Sequence, residues 1–160
     1  MIRSTLYPFA LQLLKVYWRL FSPVAHGVKI LARNAHLPGK VLLVKNTYGR
    51  RDVWHLPGGG FNPDKETVES AAQRELFEEL GVENVAWLHL GDYKTEAQGK
   101  RDNVTILSCV LTATTLSLGS EIASAEWVNV DAIGKAYKVY EVTRFALNLD
   151  RQSVTKAEVV

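Results

Sequence analysis

Apolar positions along this chain follow two different periods, and the switches between them mark out its elements. Gly27 to Arg33 reads as a strand, Asn34 to Gly39 as a turn containing Pro38 and Gly39, and Lys40 to Thr47 as a second strand, the two forming a hairpin. A polar link, Tyr48 to Asp52, leads into Val53 to Leu56, which extends into three successive glycines, Gly58 to Gly60. The period then changes. Ala72, Leu76 and Leu80 recur every fourth residue, which predicts a helix over Val68 to Leu80 with one face on a core. Pro63 stands where chains often enter a helix, Asp64 or Thr67 is placed to cap it, and Gly81 stands where it ends.

Beyond this helix, Val85 to Tyr93 reads as a strand and Thr95 to Arg101 as a polar connection. Val104 to Thr112 is apolar on both alternating sets, as a strand buried on both faces would be. Ala113 to Ser120 reads as a loop, and Glu121 to Val130 contains a short strand with Trp127 and Val128 as packing residues. Val139, Val142, Phe145, Ala146 and Leu149 lie at helical spacing within a final segment, Ala132 to Leu149, and the tail after Asp150 is polar and expected to be loose. Strands on both sides of a central helix, with a second helix at the end, make a mixed α/β domain.

The first segment is different. Ser4 to Phe21 is strongly apolar, but Gln12, Lys15 and Arg19 interrupt it at spacings of three and four, giving an amphipathic helix with one polar face. It contains no unbroken apolar run of membrane-spanning length and no small-residue cleavage site, so a spanning helix and a secretory signal are both disfavoured. Packing on the domain or on a partner subunit, as in a homodimer, is preferred to binding a membrane surface through residues 4–21. The expected organisation is an N-terminal helical extension over 1–25, one domain over 26–150 and a polar tail over 151–160.

Composition narrows the function classes. A formal net charge of +2 over 160 residues gives no basic surface bias, so stable nucleic-acid binding is not expected. The single cysteine, Cys109, lies inside an apolar run and reads as a buried, inert thiol, which suits a reducing cytoplasm.

The unusual chemistry sits on the central helix. Glu75, Glu78 and Glu79 stand at i, i+3 and i+4 and share one side, where like charges cost a few tenths of a kcal/mol per pair. Three clustered carboxylates beside a glycine-rich turn suit a hard divalent cation, and magnesium in particular shares its shell among a few carboxylates, waters and substrate phosphates. Arg74 is placed to neutralise part of the cluster, with Glu66 holding Arg74.

This stretch resembles the Nudix box at every position: Gly60, five residues, Glu66, seven residues, then Arg74-Glu75-Leu76-Phe77-Glu78-Glu79-Leu80-Gly81-Val82. From average residue usage, such a match arises by chance on the order of 10⁻⁹ per start position. The preceding Leu56-Pro57-Gly58-Gly59 also looks like this family. The resemblance implies an α/β/α sandwich around a mixed β-sheet, with the loop–helix–loop of the box at the sheet end. It implies hydrolysis of a nucleoside diphosphate linked to another group X, giving a nucleoside monophosphate and phospho-X with magnesium, or manganese in its place, as cofactor. Carried over by position, Glu75, Glu78 and Glu79 resemble metal ligands, a carbonyl of Gly59 or Gly60 completes the shell, and Arg74 and Glu66 resemble the pair that orients the helix; all five side chains are candidate catalytic residues. The box leaves the general base open, with Asp102, Glu121 and Glu126 as candidates besides its own glutamates.

The nucleotide and its X group are read from outside the box. Lys45, Tyr48, Arg50, Arg51, Trp54 and His55 precede the glycines, the cations suited to phosphate and the aromatics to a base. Trp54 reads equally as a core residue, and His55 as structural rather than catalytic. A non-catalytic nucleotide sensor is the rival reading, and such a domain is expected to lose box glutamates; here Glu66, Glu75, Glu78 and Glu79 are all present.

Overall fold

The computed structural model describes residues 24–97, 100–113 and 115–157. The amphipathic segment expected over residues 4–21 lies outside them. Strands β1 (Val24–Asn34), β2 (Leu37–Asn46), β3 (Gly60–Phe61), β4 (Leu88–Ala97), β5 (Lys100–Leu111) and β6 (Ile122–Asn129) form one sheet, with helices α1 (Val68–Leu80) and α2 (Glu141–Ala157). The order is β4-β5-β1-β2-β6, with β3 paired to β1 off this path. β1 runs parallel to β5 and antiparallel to β2, so the sheet is mixed as expected.

Alternation along β1 supplies two cores. Val28, Ile30 and Ala32 join Ala72, Leu76 and Leu80 of α1 on one face, while Leu31 joins Ala146 and Leu147 of α2 on the other. These two layers of helix over a sheet make the α/β/α sandwich. β5 contributes to both, Leu107, Cys109 and Leu111 to the α1 side and Ile106 to the α2 side. The reading of a strand covered on both faces therefore holds, except at Val110, which is 61% exposed. Arg33 on β1 pairs with the buried Asp150 and ties α2 to the sheet.

The sheet splits between β1 and β2, and that split positions everything functional. The two strands pair only near the turn, at Arg33–Val41 and Asn34–Leu37. Further along, the segment after Val53 fills the gap. His55 exchanges both backbone hydrogen bonds with Val44 of β2, and the carbonyls of Pro57 and Gly59 accept from Ile30 and Val28 of β1 at 3.0 and 2.9 Å. Gly58 lies at the closest approach. Its φ is +115°, and a Cβ there would stand 2.4 Å from the Val28 carbonyl oxygen.

Four expectations are corrected. Thr95 to Arg101 is not a polar connection: β4 and β5 pair antiparallel as far as Ala97–Lys100, so the polar run is the end of a hairpin, whose strands show charge where they leave the core. β4 also begins at Leu88 rather than Val85. The last helix starts at Glu141, not near Ala132, because Val130–Ala132 form a 3₁₀ turn capped by Asn129, a further turn follows at Gly134–Ala136, and the chain then runs to Val139, which bridges Trp54. That helix continues to Ala157, past the tail boundary, with Ser153 Oγ donating to the Asp150 carbonyl at 2.7 Å.

Replacing Gly58 by alanine should cost about 2–4 kcal/mol, since both the left-handed angle and the contact with Val28 must be relieved. Urea unfolding checks this, and a loss below about 0.5 kcal/mol would show that the loop lies elsewhere.

Candidate functional site

Helix α1 is built to aim carboxylates at the glycine loop. Thr67 caps it, its hydroxyl accepting from the Ser70 N–H at 3.2 Å, so of the two cap candidates Thr67 and not Asp64 serves. Gly81, at φ +69°, closes it: its N–H donates to the Phe77 carbonyl at 2.9 Å, the left-handed ending that glycine favours. With Leu76 and Leu80 fixed in the core, Glu75 and Glu79 face the loop and Glu78 faces outward.

The contacts follow from that orientation. Glu79 Oε2 accepts from the Gly58 N–H at 3.0 Å. The Glu75 carboxylate lies so close to Gly59 that a Cβ there would stand 2.6 Å from its Oε1. Arg74 collects the remaining charge, donating to Glu66 Oε1 at 3.0 Å, Glu75 Oε1 at 2.7 Å, Glu78 Oε2 at 3.4 Å and the Gly60 carbonyl at 3.3 Å. The hydrogen bonds to Glu66 and then to Glu75 hold the Arg74 guanidinium still more firmly charged. The expected Arg74–Glu66 pair is thus in place.

Sequence reasoning missed Lys29. Its ammonium donates to the Leu56 carbonyl at 3.1 Å and to the Gly58 carbonyl, stitching β1 to the glycine loop. Burial lowers its pKa, while the charges of Glu79 and then Glu75 pull it back up. The signal was one lysine in an otherwise apolar run, on a strand whose both faces are covered.

Of the three base candidates from outside the box, Glu121 is the one brought to the cluster. The loop before it caps the end of α1, with Ser117 N–H donating to the Leu80 carbonyl and Gly119 N–H to the Glu79 carbonyl. Tyr48 then holds Glu121 Oε2 at 3.1 Å. Burial raises the pKa of Glu79 above the usual carboxylate range, Lys29 and the Gly58 N–H oppose this, and Glu75 and Glu121 add to it. Glu126 instead accepts from Tyr137 at 3.0 Å, and Asp102 lies on β5 opposite Thr95.

The other upstream candidates scatter. Trp54 is buried in the core on the α2 side, edge-on to Tyr137, with Lys45 over its ring at 4.4 Å. Arg50 lies over Tyr140 at 5.8 Å, and Arg51 is exposed. His55 is buried between the Leu56 carbonyl and the Asn46 side chain, where burial and then the Lys29 charge lower its pKa to about 4. Cys109 is buried, and burial pushes its thiol up to about 12, so it is inert as expected.

Among the described residues no three acidic, histidine or cysteine side chains form a ready-made metal cage. What is present is a half-buried carboxylate, Glu79, with a second beside it and a strand of backbone carbonyls alongside. That donor set is all oxygen and fits a magnesium-type ion that takes most of its shell from water and phosphate.

Residues 23–146 match the family described as NUDIX domain. An RNA pyrophosphohydrolase of Pseudomonas putida (strain F1) is 39% identical over 71 residues, 44% of this chain and 32% of that protein, so the match spans about a third of the relative's length. Among solved structures, a MutT protein from Methanosarcina mazei Go1 superposes with a TM-score of 0.69 at 24% identity, covering 83% of this chain and 97% of that one. The NUDIX domain of Shewanella oneidensis NrtR, complexed with ADP ribose, superposes with a TM-score of 0.71 at 16% identity, covering 84% and 91%. At these identities both structures speak to the fold.

His55 gives the site a pH signature. Its pKa is about 4 in the folded chain against 6.5 ordinarily, so between those values the unfolded chain binds a proton the folded one refuses. Stability falls as pH drops from 6.5 towards 4, by on the order of 3 kcal/mol from this group. Urea unfolding of wild type and His55→Gln should show a pH dependence shallower in the variant by that amount; equal slopes would contradict the buried neutral imidazole.

Proposed function

The chain belongs to the NUDIX domain family, and on that premise we propose that it is a magnesium-dependent pyrophosphohydrolase of nucleoside diphosphate derivatives, with manganese as a substitute. The products are a nucleoside monophosphate and phospho-X. The observation that carries this reading is the pair Glu75 and Glu79 backed onto the glycine loop, where burial leaves negative charge incompletely compensated. The sequence of an RNA pyrophosphohydrolase, similar over 71 residues, supports the same bond class.

In this reading Glu75, Glu79 and the Gly59 carbonyl hold the cation, with Glu78 and the Gly60 carbonyl beside them. A divalent cation there supplies neutralisation of phosphate oxygens and acidification of a bound water. Arg74, braced by Glu66, fixes the rotamers of Glu75 and Glu78. Lys29 has a third N–H beyond the two given to Leu56 and Gly58, and it lines the cleft that a diphosphate would enter. Glu121, held by Tyr48, takes the proton of the attacking water at its carboxylate. All four box glutamates being present disfavours the sensor alternative. A buried single thiol and the absence, among the described residues, of any helix able to cross a membrane are compatible with a cytoplasmic enzyme.

Hydrolysis of a panel of nucleoside triphosphates, nucleotide sugars, dinucleotides and 5′-triphosphorylated oligonucleotides tests the reading. Metal-dependent cleavage of one class is expected. Glu79→Gln should lower turnover by about 10³-fold or more, and Glu121→Gln by about 10²-fold, with the fold intact by circular dichroism. No cleavage of any compound, or full turnover in folded Glu79→Gln, would overturn it.

A further inference from the structure

The face of α1 opposite the glycine loop borders a groove of about 660 Å³. Phe77 lies there, two residues from both Glu75 and Glu79 and so about 200° round the helix from each. It is 52% exposed, while Leu76 beside it is fully buried. Glu69 and Gln73 line the groove with it at four-residue spacing along α1, and Glu83, Asn84 and Trp87 line it from the segment that follows. That segment is fixed in place. The Gln73 amide nitrogen donates to the Val82 carbonyl at 3.0 Å, Asn84 holds φ at +57°, and Trp87 packs on the α1-side core.

The groove is acidic as well as aromatic. Arg74, also in its lining, is taken up by Glu66, Glu75 and Glu78. Glu69 and Glu83 form no ion pair among the described residues. An exposed phenylalanine beside two uncompensated carboxylates fits an occupant that is apolar and basic together.

The chain itself contains one. Residues 1–23 hold Arg3, Lys15 and Arg19 and no acidic side chain. Leu14, Trp18 and Phe21 recur at spacings of four and three, which on a helix makes an apolar stripe beside the one that carries Lys15 and Arg19. A helix over residues 4–21 would be about 27 Å long, against about 20 Å for α1. The point of attachment suits this face. β1 starts at Val24, the His26 ring meets Phe61 of β3 edge-on at 6.0 Å, and Phe61 packs on the core that Val68, the first residue of α1, also joins. Residues 4–21 are thus tethered at the end of the sheet where α1 begins.

We propose that residues 4–21 dock in this groove of their own chain, with Leu14, Trp18 and Phe21 against Phe77 and Trp87, and Lys15 and Arg19 towards Glu69 and Glu83. The short tether favours the same chain over a second copy, because it holds the segment at high effective concentration beside the groove. Lipid as the occupant would leave Phe77 and the two glutamates uncovered. Docking braces α1 on the side away from Glu75 and Glu79, and needs neither metal nor substrate.

Photo-cross-linking of the full chain carrying Phe77→p-benzoylphenylalanine, as an equal mixture of nitrogen-14 and nitrogen-15 protein, identifies the occupant. Cross-links should fall within residues 4–21 and join peptides of the same isotope. Trypsin should cut after Lys15 and Arg19 about threefold faster or more in Glu69→Gln/Glu83→Gln than in wild type, the scale of two exposed ion pairs, with circular dichroism unchanged. Wild type should stay in the supernatant when vesicles of equal parts phosphatidylcholine and phosphatidylglycerol are pelleted. Cross-links that join the two isotopes would give the groove to a second copy, and pelleting with the vesicles would give the segment to lipid. Either result, cross-links confined to other residues, or equal trypsin cleavage in wild type and folded variant would overturn the inference.

Discussion

Helix α1 carries its glutamates on the side that meets the glycine loop, and that burial of like charge constrains the rest of the structure. Glu75 and Glu79 are held there because Leu76 and Leu80 are locked into the core one residue on from each. Repulsion along the helix is worth only tenths of a kcal/mol per pair, which packing of two leucines outweighs several-fold. The charge is then shared between two cations from different elements, Arg74 on the helix and Lys29 on β1. Arg74 bonds Glu75 rather than Glu79, burial still raises the Glu79 pKa despite Lys29, and a half-buried carboxylate in that condition is a place where a divalent cation gains more than it would on an ordinary surface.

The sheet serves this arrangement by failing to close. β1 and β2 pair at one end and part at the other, and the segment from His55 to Gly60 takes the vacated hydrogen bonds. A loop stitched into a sheet on both sides is far more rigid than a surface turn, which suits a position that must hold backbone carbonyls at ångström tolerance. The same split lets Lys29, on the α2 face of β1, reach carbonyls that lie against α1's glutamates. One gap in the ladder therefore joins the acidic cluster on one face to the cleft lined by Lys29, Tyr93 and Tyr140 on the other.

Much of this was legible in the sequence, for reasons that differ by element. Helix α1 was readable end to end because periodicity, cap and terminal glycine all agree, but the match to the box named Glu75, Glu78 and Glu79 together, and only the packing of Leu76 and Leu80 turns Glu75 and Glu79 to the loop and Glu78 outward. The Arg74–Glu66 pair followed from the same match. The β4–β5 hairpin was misread because strands leaving the core lose their apolar alternation, so Thr95 to Arg101 looks like a connection although its backbone is paired. Helix α2 was placed too early because Val139 packs from an extended segment at a spacing that mimics the helix. Lys29 was invisible as a site residue: it reaches the glycine loop through the split sheet, and no local pattern encodes that contact. Glu121 could be named but not chosen over Asp102 and Glu126 until the capping of α1 by the preceding loop was seen.

The central claim is that the Glu75–Glu79 pair at the glycine loop is a divalent-cation site. Titration of the protein with Mn²⁺, followed by electron paramagnetic resonance of the free ion, measures this without any substrate. Saturable binding in wild type that is lost or strongly weakened in folded Glu79→Gln, and competed by Mg²⁺, is the result expected. Binding of equal strength in wild type and Glu79→Gln, or none in wild type even with a nucleoside diphosphate present, would contradict it.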